Sequence, residues 1–568
     1  MSGLIKNEMI KAYKSGFIKA ALCIILVFSI AIPVGKYLIA NSESNGIESF
    51  GYDELAESET STVGKAYYKT YGRVENYFKE NDISYSNDWR YNEFYSRILS
   101  LEMAKSVCEL AKGGSQKNEV ENYFMYENLN SEISLDEDMF VFVDDNNYRD
   151  VFTLKPDELT KKIKEIDSML EKLKAYILQV TIFDLYESDV AEYTADAELS
   201  RDELAKREAE LKKNPENARA EYERDSAAAG LKRAEAQLWG ANYLKKNKCD
   251  YNSWQYDAVN FTLKYAANSY ADSVIMKESL FVAGDESKIY KSYDEYVKIM
   301  KANEKRCDEA ITLVKYSLEN NIPIPECSET SARADFFGNA GIMAIIVELL
   351  MVAIACTTLY TEYTTGSIRL LLIRPKSRSK ILLSKLLTVI IYGAITMAAS
   401  MLIIFVLDIL LHTEKDMSVP YLLMSKSGEV IKIPAIIYTA MSVGARFFSG
   451  FVIISAVFMI SALFNKGGIL ALMFGAADVC GTWLVALICS EFAGTLKTVI
   501  SYTVLPYLDL SRYMGNAVKS FCGDVSVFNS MDITIGFNAR VGVILCTAHI
   551  ALFLIIAFIG FNKKQIKN

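Results

Sequence analysis

Three charged side chains stand inside apolar runs of this 568-residue chain: Glu348, Arg446 and Asp478. A charge at the centre of a bilayer costs roughly 2.5–3.5 kcal/mol for Asp or Arg on insertion scales, so each is expected to turn inward. Counted at about 1.5 Å per residue, Glu348 and Asp478 share one depth, with Arg446 about 6 Å above. Such a set can clamp helices together as ion pairs, or it can line a path for a substrate or ion. Both readings stay open. A second set is basic: Arg369, Arg374, Lys376, Arg378, Lys380 and Lys385 face a single acid, Glu362, within 361–387. Groups that would turn over a substrate are missing. The chain has no GxxxxGK[ST], GxSxG or HExxH stretch, and His412 and His549 are its two histidines. Catalysis by this chain alone is therefore not expected, and neither is a His/Cys metal site or a bound cofactor.

The elements that must position these charges are long apolar runs. Residues 17–40 form one, too long for a signal-peptide core, and 336–360 and 381–411 form two more. Further runs cover 436–464, 469–489 and 541–561, with a semi-apolar piece at 495–508 that is expected to dip into the membrane. The basic loop between the second and third runs marks the cytoplasmic face, as do the lysines before the first run and NKKQIKN at the end. The expectation is an all-α membrane protein with six transmembrane helices, both ends cytoplasmic. Residues 2–16 place Leu4, Ile5, Met9, Ile10 and Tyr13 at helical spacing between lysines, which predicts an amphipathic helix on the inner membrane surface over 1–16.

Residues 41–335 are of a different kind. They carry 38 Lys and Arg against 58 Asp and Glu, while the remainder carries 23 against 12. An acidic, water-soluble, mainly helical extracellular domain is expected, and nucleic acid is excluded as a partner because phosphate binding needs clustered cations. Leu159, Ile163, Ile166, Leu170, Leu173, Ile177 and Val180 alternate spacings of four and three, the seam of a coiled-coil-like stalk or of a long helical bundle. Charged helices on either side of Pro215 predict an antiparallel, stalk-like hairpin. A short strand is expected near Phe140–Val143. An internal repeat aligns 76–93 with 242–258, placing Trp89 and Tyr91 on Trp254 and Tyr256, and a weaker third copy ends at Pro323. Each copy reads as a helix ending at Asn, then a turn, then a helix capped by Asn or Ser before Trp. The aromatic residues serve either as anchors of helix corners or as twin platforms for a ligand. The ten cysteines include no CxxC pair, and no spacing supports a disulfide framework.

Returning to the basic loop, Glu362, Gly366, Leu371 with Leu372, Pro375 and Arg378 stand in an order that resembles the loop between the second and third spans of type-2 ABC exporter permeases. The six-span topology, the large insertion after the first span and the dipping segment before the last are similar to that family as well. The resemblance implies an ABC exporter permease, with ATP and Mg on a separate ATPase subunit and a second permease chain, identical or different, beside it in the lipid. It implies further that 361–385 is the coupling loop, with Ile368, Leu371 and Leu372 as an apolar edge for the ATPase and Arg369 among its orienting charges. The alternative class is a membrane-anchored surface protein whose helical ectodomain binds a partner or relays a signal.

Overall fold

The computed structural model describes residues 2–44, 52–85, 88–124, 133–135, 142–144, 150–284, 286–290, 292–324, 331–364, 377–412, 416–425, 427–464, 473, 475, 494–514 and 537–563. The longer helices are α1 (Ser2–Lys14), α2 (Gly16–Ser44), α3 (Thr62–Glu80), α4 (Trp89–Lys112), α5 (Pro156–Ile177), α6 (Ile182–Lys213), α7 (Ala218–Asn247), α8 (Tyr293–Asn320), α9 (Ala332–Thr364), α10 (Arg378–Leu411), α11 (Ala435–Leu463) and α12 (Ala539–Lys563). Two antiparallel strand pairs accompany them: β1 (Ile133–Leu135) with β2 (Phe142–Asp144), and β3 (Tyr421–Met424) with β4 (Val430–Ile433). The chain divides into two compact units, one of residues 40–199 and 237–259, the other of 1–39, 200–236 and 260–568.

In the first unit the heptad stripe of α5 buries Leu159, Ile166, Leu170, Leu173 and Ile177. These side chains join Phe78, Phe94, Ile98 and Leu101 in one hydrophobic core shared with α3 and α4. The helix ends at Ile177, so the stripe serves as the inner face of a helical bundle. One acid lies inside this core. Glu102 accepts from Arg73 Nε and Lys174 Nζ, each at 2.9 Å. Burial resists its ionisation, but the two cations outweigh that and hold its carboxyl below the usual range.

The repeated sequences close three helices in the same way. Asn81, Asn247 and Asn320 donate from Nδ2 to the carbonyls of Tyr77, Tyr243 and Tyr316 at 2.7, 2.9 and 2.8 Å. The following residues, Asp82, Lys248 and Asn321, are the three non-glycine residues with positive φ among the described residues. Beyond them the N–H groups of Ile83, Cys249 and Ile322 reach back to Phe78, Leu244 and Ser317 carbonyls. This is the 6→1 bond that satisfies orphan carbonyls at a helix end. The next helices are capped by Asp88 and Ser253. Asp takes the place expected for Asn or Ser because its carboxylate accepts the same bond.

In the second unit, five helices among the described residues are long and apolar enough to cross a membrane: 16–39, 332–358, 378–411, 435–463 and 539–563. The run at 469–489 lies outside the described residues but for Met473 and Gly475. Helix α9 is the centre of the bundle, with Met343, Val347, Leu350 and Ile354 all buried among residues of α10 and α11. The piece before the last span turns through two short 3-10 segments, and its Tyr507, Leu508 and Leu510 are buried in the same core. Gly542 on α12 meets the Tyr507 ring so closely that any side chain there would collide with it. The distal halves of α6 and α7 run antiparallel, tied by Arg201–Glu235 and Arg207–Glu223 at 3.0 and 2.7 Å. At the start of α9, the fully buried Arg333 donates to the carbonyls of Pro323, Val419 and Pro420, joining the chain after α8 to the loop before β3.

Candidate functional site

Two buried charge clusters mark helix α9, and each is built by elements far apart in sequence. The first lies where α9 ends and α10 begins. Lys385, in the second turn of α10, is fully buried, and its ammonium meets Glu8 Oε2, Glu362 Oε1 and the Thr358 carbonyl, each at 2.9 Å. A lysine has three donors, so all are used. Lys11 of α1 adds bonds to Glu362 Oε1 at 3.0 Å and Glu8 Oε1 at 3.3 Å. Burial pushes Glu8 toward its neutral form, yet Lys385 and Lys11 outweigh it and hold its carboxyl below the usual range. Burial likewise presses Lys11 down, and Glu362 with Glu8 raises it above its ordinary value. Helix α1 is seated further by buried Ala12 and by the Tyr392 hydroxyl, which donates to the Met9 carbonyl at 2.8 Å. On the other flank, Arg378 donates to the Asn562 carbonyl at 3.0 Å, and Asn562 Nδ2 to Ser379 Oγ at 2.8 Å.

The structure thus turns Glu362 inward, onto Lys385 and Lys11, and gives Arg378 to the end of α12. Gly366, Ile368, Arg369, Leu371, Leu372 and Pro375 lie outside the described residues.

The second cluster sits within the bundle. Arg446 of α11 pairs through Nη2 with Glu348 Oε2 of α9 at 3.2 Å, and through Nη1 with Asp509. Arg512 Nε adds a contact to Asp509 Oδ2 at 3.3 Å. The Leu510 N–H donates to Ser449 Oγ at 3.1 Å, fixing the 505–513 segment against α11. Gly450, one turn beyond Arg446, leaves room for the Glu348 carboxylate, and a Cβ there would run into it. Two acids and two guanidinium groups balance, so this arrangement can tie three elements together without leaving a bare charge. Asp478 lies outside the described residues.

The aromatic residues of the repeat are dispersed through the first unit. Tyr91 stacks on Tyr95 at 4.8 Å between ring centres and donates to Glu75 at 2.9 Å. Tyr256 packs near Tyr251 and Tyr186 at 4.9 and 6.4 Å. Trp89 and Trp254 are half-buried at the starts of their helices. Sequence reasoning passed over Glu8, Asp509, Arg512 and Asp408, the last fully buried against Asn339 Nδ2 at 3.1 Å. A signal existed for Glu8, the sole acid in residues 1–42. Lys385 was visible, but only as one of six loop cations.

Comparison with known proteins agrees with this architecture. The family model described as ABC-2 family transporter protein matches residues 160–565. The chain is 26% identical over 266 residues to the uncharacterized protein YhcI of Bacillus subtilis (strain 168), an alignment covering 46% of this chain and 76% of that protein. No solved structure matches. With a match over more than two thirds of its length and apolar helices that place it in a membrane, the chain belongs to the ABC-2 family of transporter proteins and is a membrane permease component of an ABC transporter.

Proposed function

We propose that this chain couples ATP hydrolysis by a separate ATPase subunit to export of a substrate. The observation that supports this most is the family match across four of the five apolar helices, joined to a loop whose two roots are held in buried charge. A short loop moves a bundle only if its ends are rigid, because buried groups with two discrete arrangements carry coupling. The chain's own side chains would then do three things. Ile368, Leu371 and Leu372 would enter a cleft on the ATPase, with Gly366 allowing close backbone approach. The roots on α9 and α10 would carry the displacement into the bundle. Glu348, Arg446 and Asp509 would keep α9, α11 and the 505–513 segment moving as one body. In this reading the intramembrane charges are a clamp, since each described member is spent on another. Residues 41–335 would lie outside the cell, both chain ends inside, and two such chains would share the ATPase pair.

The experiment is purification of the full chain from its native host, followed by reconstitution into vesicles. An ATPase subunit should accompany it, and the complex should hydrolyse Mg-ATP. A chain that purifies without any ATPase under conditions that preserve membrane complexes would overturn this reading.

A further inference from the structure

We propose that Asp408 and Asn339 form a proton-binding site that latches the start of α9 to the end of α10. Six acids are buried among the described residues: Glu8, Glu102, Glu348, Glu362, Asp408 and Asp509. Five of them stand within ion-pair distance of a Lys or Arg. Asp408, fully buried in the last turn of α10, does not. Its carboxylate has one side-chain partner among the described residues, Asn339 Nδ2 of α9, at 3.1 Å from one oxygen and 3.4 Å from the other. One amide does not offset a carboxylate taken out of water, so an ionised Asp408 is costly here.

The cations at this end are spent elsewhere. Lys36 Nζ of α2 and His412 Nε2 both go to Asp335 of α9, at 3.4 and 3.0 Å. His412 Nδ1 faces the main-chain carbonyl of Asp408 at 3.0 Å. Arg333 pairs with Asp416 and donates to three carbonyls. Asn339 adds a second observation. Having given its donor to Asp408, it leaves Oδ1 buried and without a partner. The pair is a set of acceptors one hydrogen short. A proton on Asp408 removes the charge and supplies that hydrogen, and the amide can turn over to present Oδ1 to the carboxyl O–H. A metal ion fits less well, since one carboxylate and one amide oxygen fall short of the roughly six oxygens a hard cation takes.

The site couples protonation to packing. With the helix ends closed, the carboxyl keeps its proton because no water solvates the anion. A movement that admits water breaks the carboxyl O–H bond in favour of a hydrated carboxylate, and the proton passes to that water. By linkage, the protonated form favours the closed seam and the ionised form the open one. Asp408 lies twenty-three residues from Lys385 along α10, about 35 Å at the usual rise. The latch therefore acts at the opposite end of the helix from the 365–376 loop and does not depend on the reading of that loop.

The test uses the full chain in lipid nanodiscs. Infrared spectra in H2O and D2O report the C=O band of a protonated carboxyl, which deuterium shifts and a carboxylate lacks. Wild type should show this band at neutral pH, Asp408→Asn should lack it, and His412→Gln should keep it. The folded chain holds a proton that the unfolded chain gives up above about pH 3.9, so the wild-type melting temperature should fall with rising pH relative to Asp408→Asn. Amide hydrogen exchange in 331–340 and 404–412, corrected for its intrinsic pH dependence, should rise several-fold as the band disappears at high pH. In Asp408→Asn it should stay level. No band at neutral pH, or melting curves that run parallel, would overturn the proposal. So would loss of the pH dependence in His412→Gln, which would move the switch to His412. A sodium-dependent stabilisation of wild type that Asp408→Asn abolishes would assign a metal ion and overturn it too. Should Asp408→Asn fail to fold, Asp408→Glu carries the test, since its band should move to a new frequency instead of vanishing.

Discussion

The two charge clusters on α9 solve one problem with different chemistry. At Glu362 a lysine is the hub, a compact charge whose three donors reach two other helices, α1 and α9. At Glu348 the hub is an arginine, whose planar fork bridges two carboxylates on opposite sides. The two acids lie fourteen residues apart on one helix, about 21 Å at the usual rise. The lysine hub borrows one wall from α1, which has an exposed face and a half-exposed Lys11. Every described member of the arginine hub is buried or half-buried. A cluster with an exposed wall can open without unfolding the bundle, whereas the enclosed one cannot. The first suits a joint and the second a rivet.

That contrast can be broken most forcefully at Arg446. Removing one partner of a buried set leaves an uncompensated charge and costs roughly 3–5 kcal/mol. Arg446→Ala should therefore abolish stable expression, measured by fluorescence size exclusion of detergent extracts. A well-folded Arg446→Ala protein would mean that the cluster is wet and not a rivet. Next in size is Gly450→Ala. Alanine favours a helix by about 1 kcal/mol, but the collision with Glu348 should reverse this to a net loss of about 1–3 kcal/mol. A thermal-shift series should show Gly450→Ala below wild type, and Gly450→Ala with Glu348→Ala should lose the clash but expose Arg446.

The lysine hub should respond to pH through Glu8. Glu8 is held below its usual range, so its contribution is present above the unfolded value near 4.3 and is lost as pH falls through the folded one. Wild type should lose thermal stability below about pH 4.5 more steeply than Glu8→Gln, and parallel curves would remove Glu8 from the joint. The smallest effect belongs to Lys11→Gln. With its side chain about half exposed, screening should hold its stability cost to about 1 kcal/mol or less. A larger cost would make α1 a rivet as well.

Much of this was legible in the sequence, for reasons that differ by element. The apolar runs announce themselves by length, and the described spans fall where hydropathy places them. The three Asn-terminated helices were readable because Asn and the residue after it sit where a left-handed turn is needed. Glu348 and Arg446 stood out as charges in apolar surroundings, and the structure pairs them. Asp509 did not stand out, because a polar residue near a turn looks ordinary until the turn is found packed inside the bundle. Glu8 and Lys385 were hidden for a deeper reason. They are 377 positions apart, and no local pattern tells a loop cation that fixes orientation from one that closes a joint. The heptad stripe of 159–180 shows the converse, since period alone does not say whether a partner helix belongs to a stalk or to a core.

The central claim is that the 365–376 loop engages an ATPase and is not basic merely to set topology. Leu371→Asp and Gly366→Trp keep every basic residue of the loop, so a topological role predicts normal insertion and normal ATPase association. Copurification of the ATPase with each variant, alongside cysteine accessibility to confirm insertion, measures this directly. The account predicts correct insertion with the ATPase lost or its hydrolysis no longer linked to transport. Full retention of both association and coupling in both variants would contradict it.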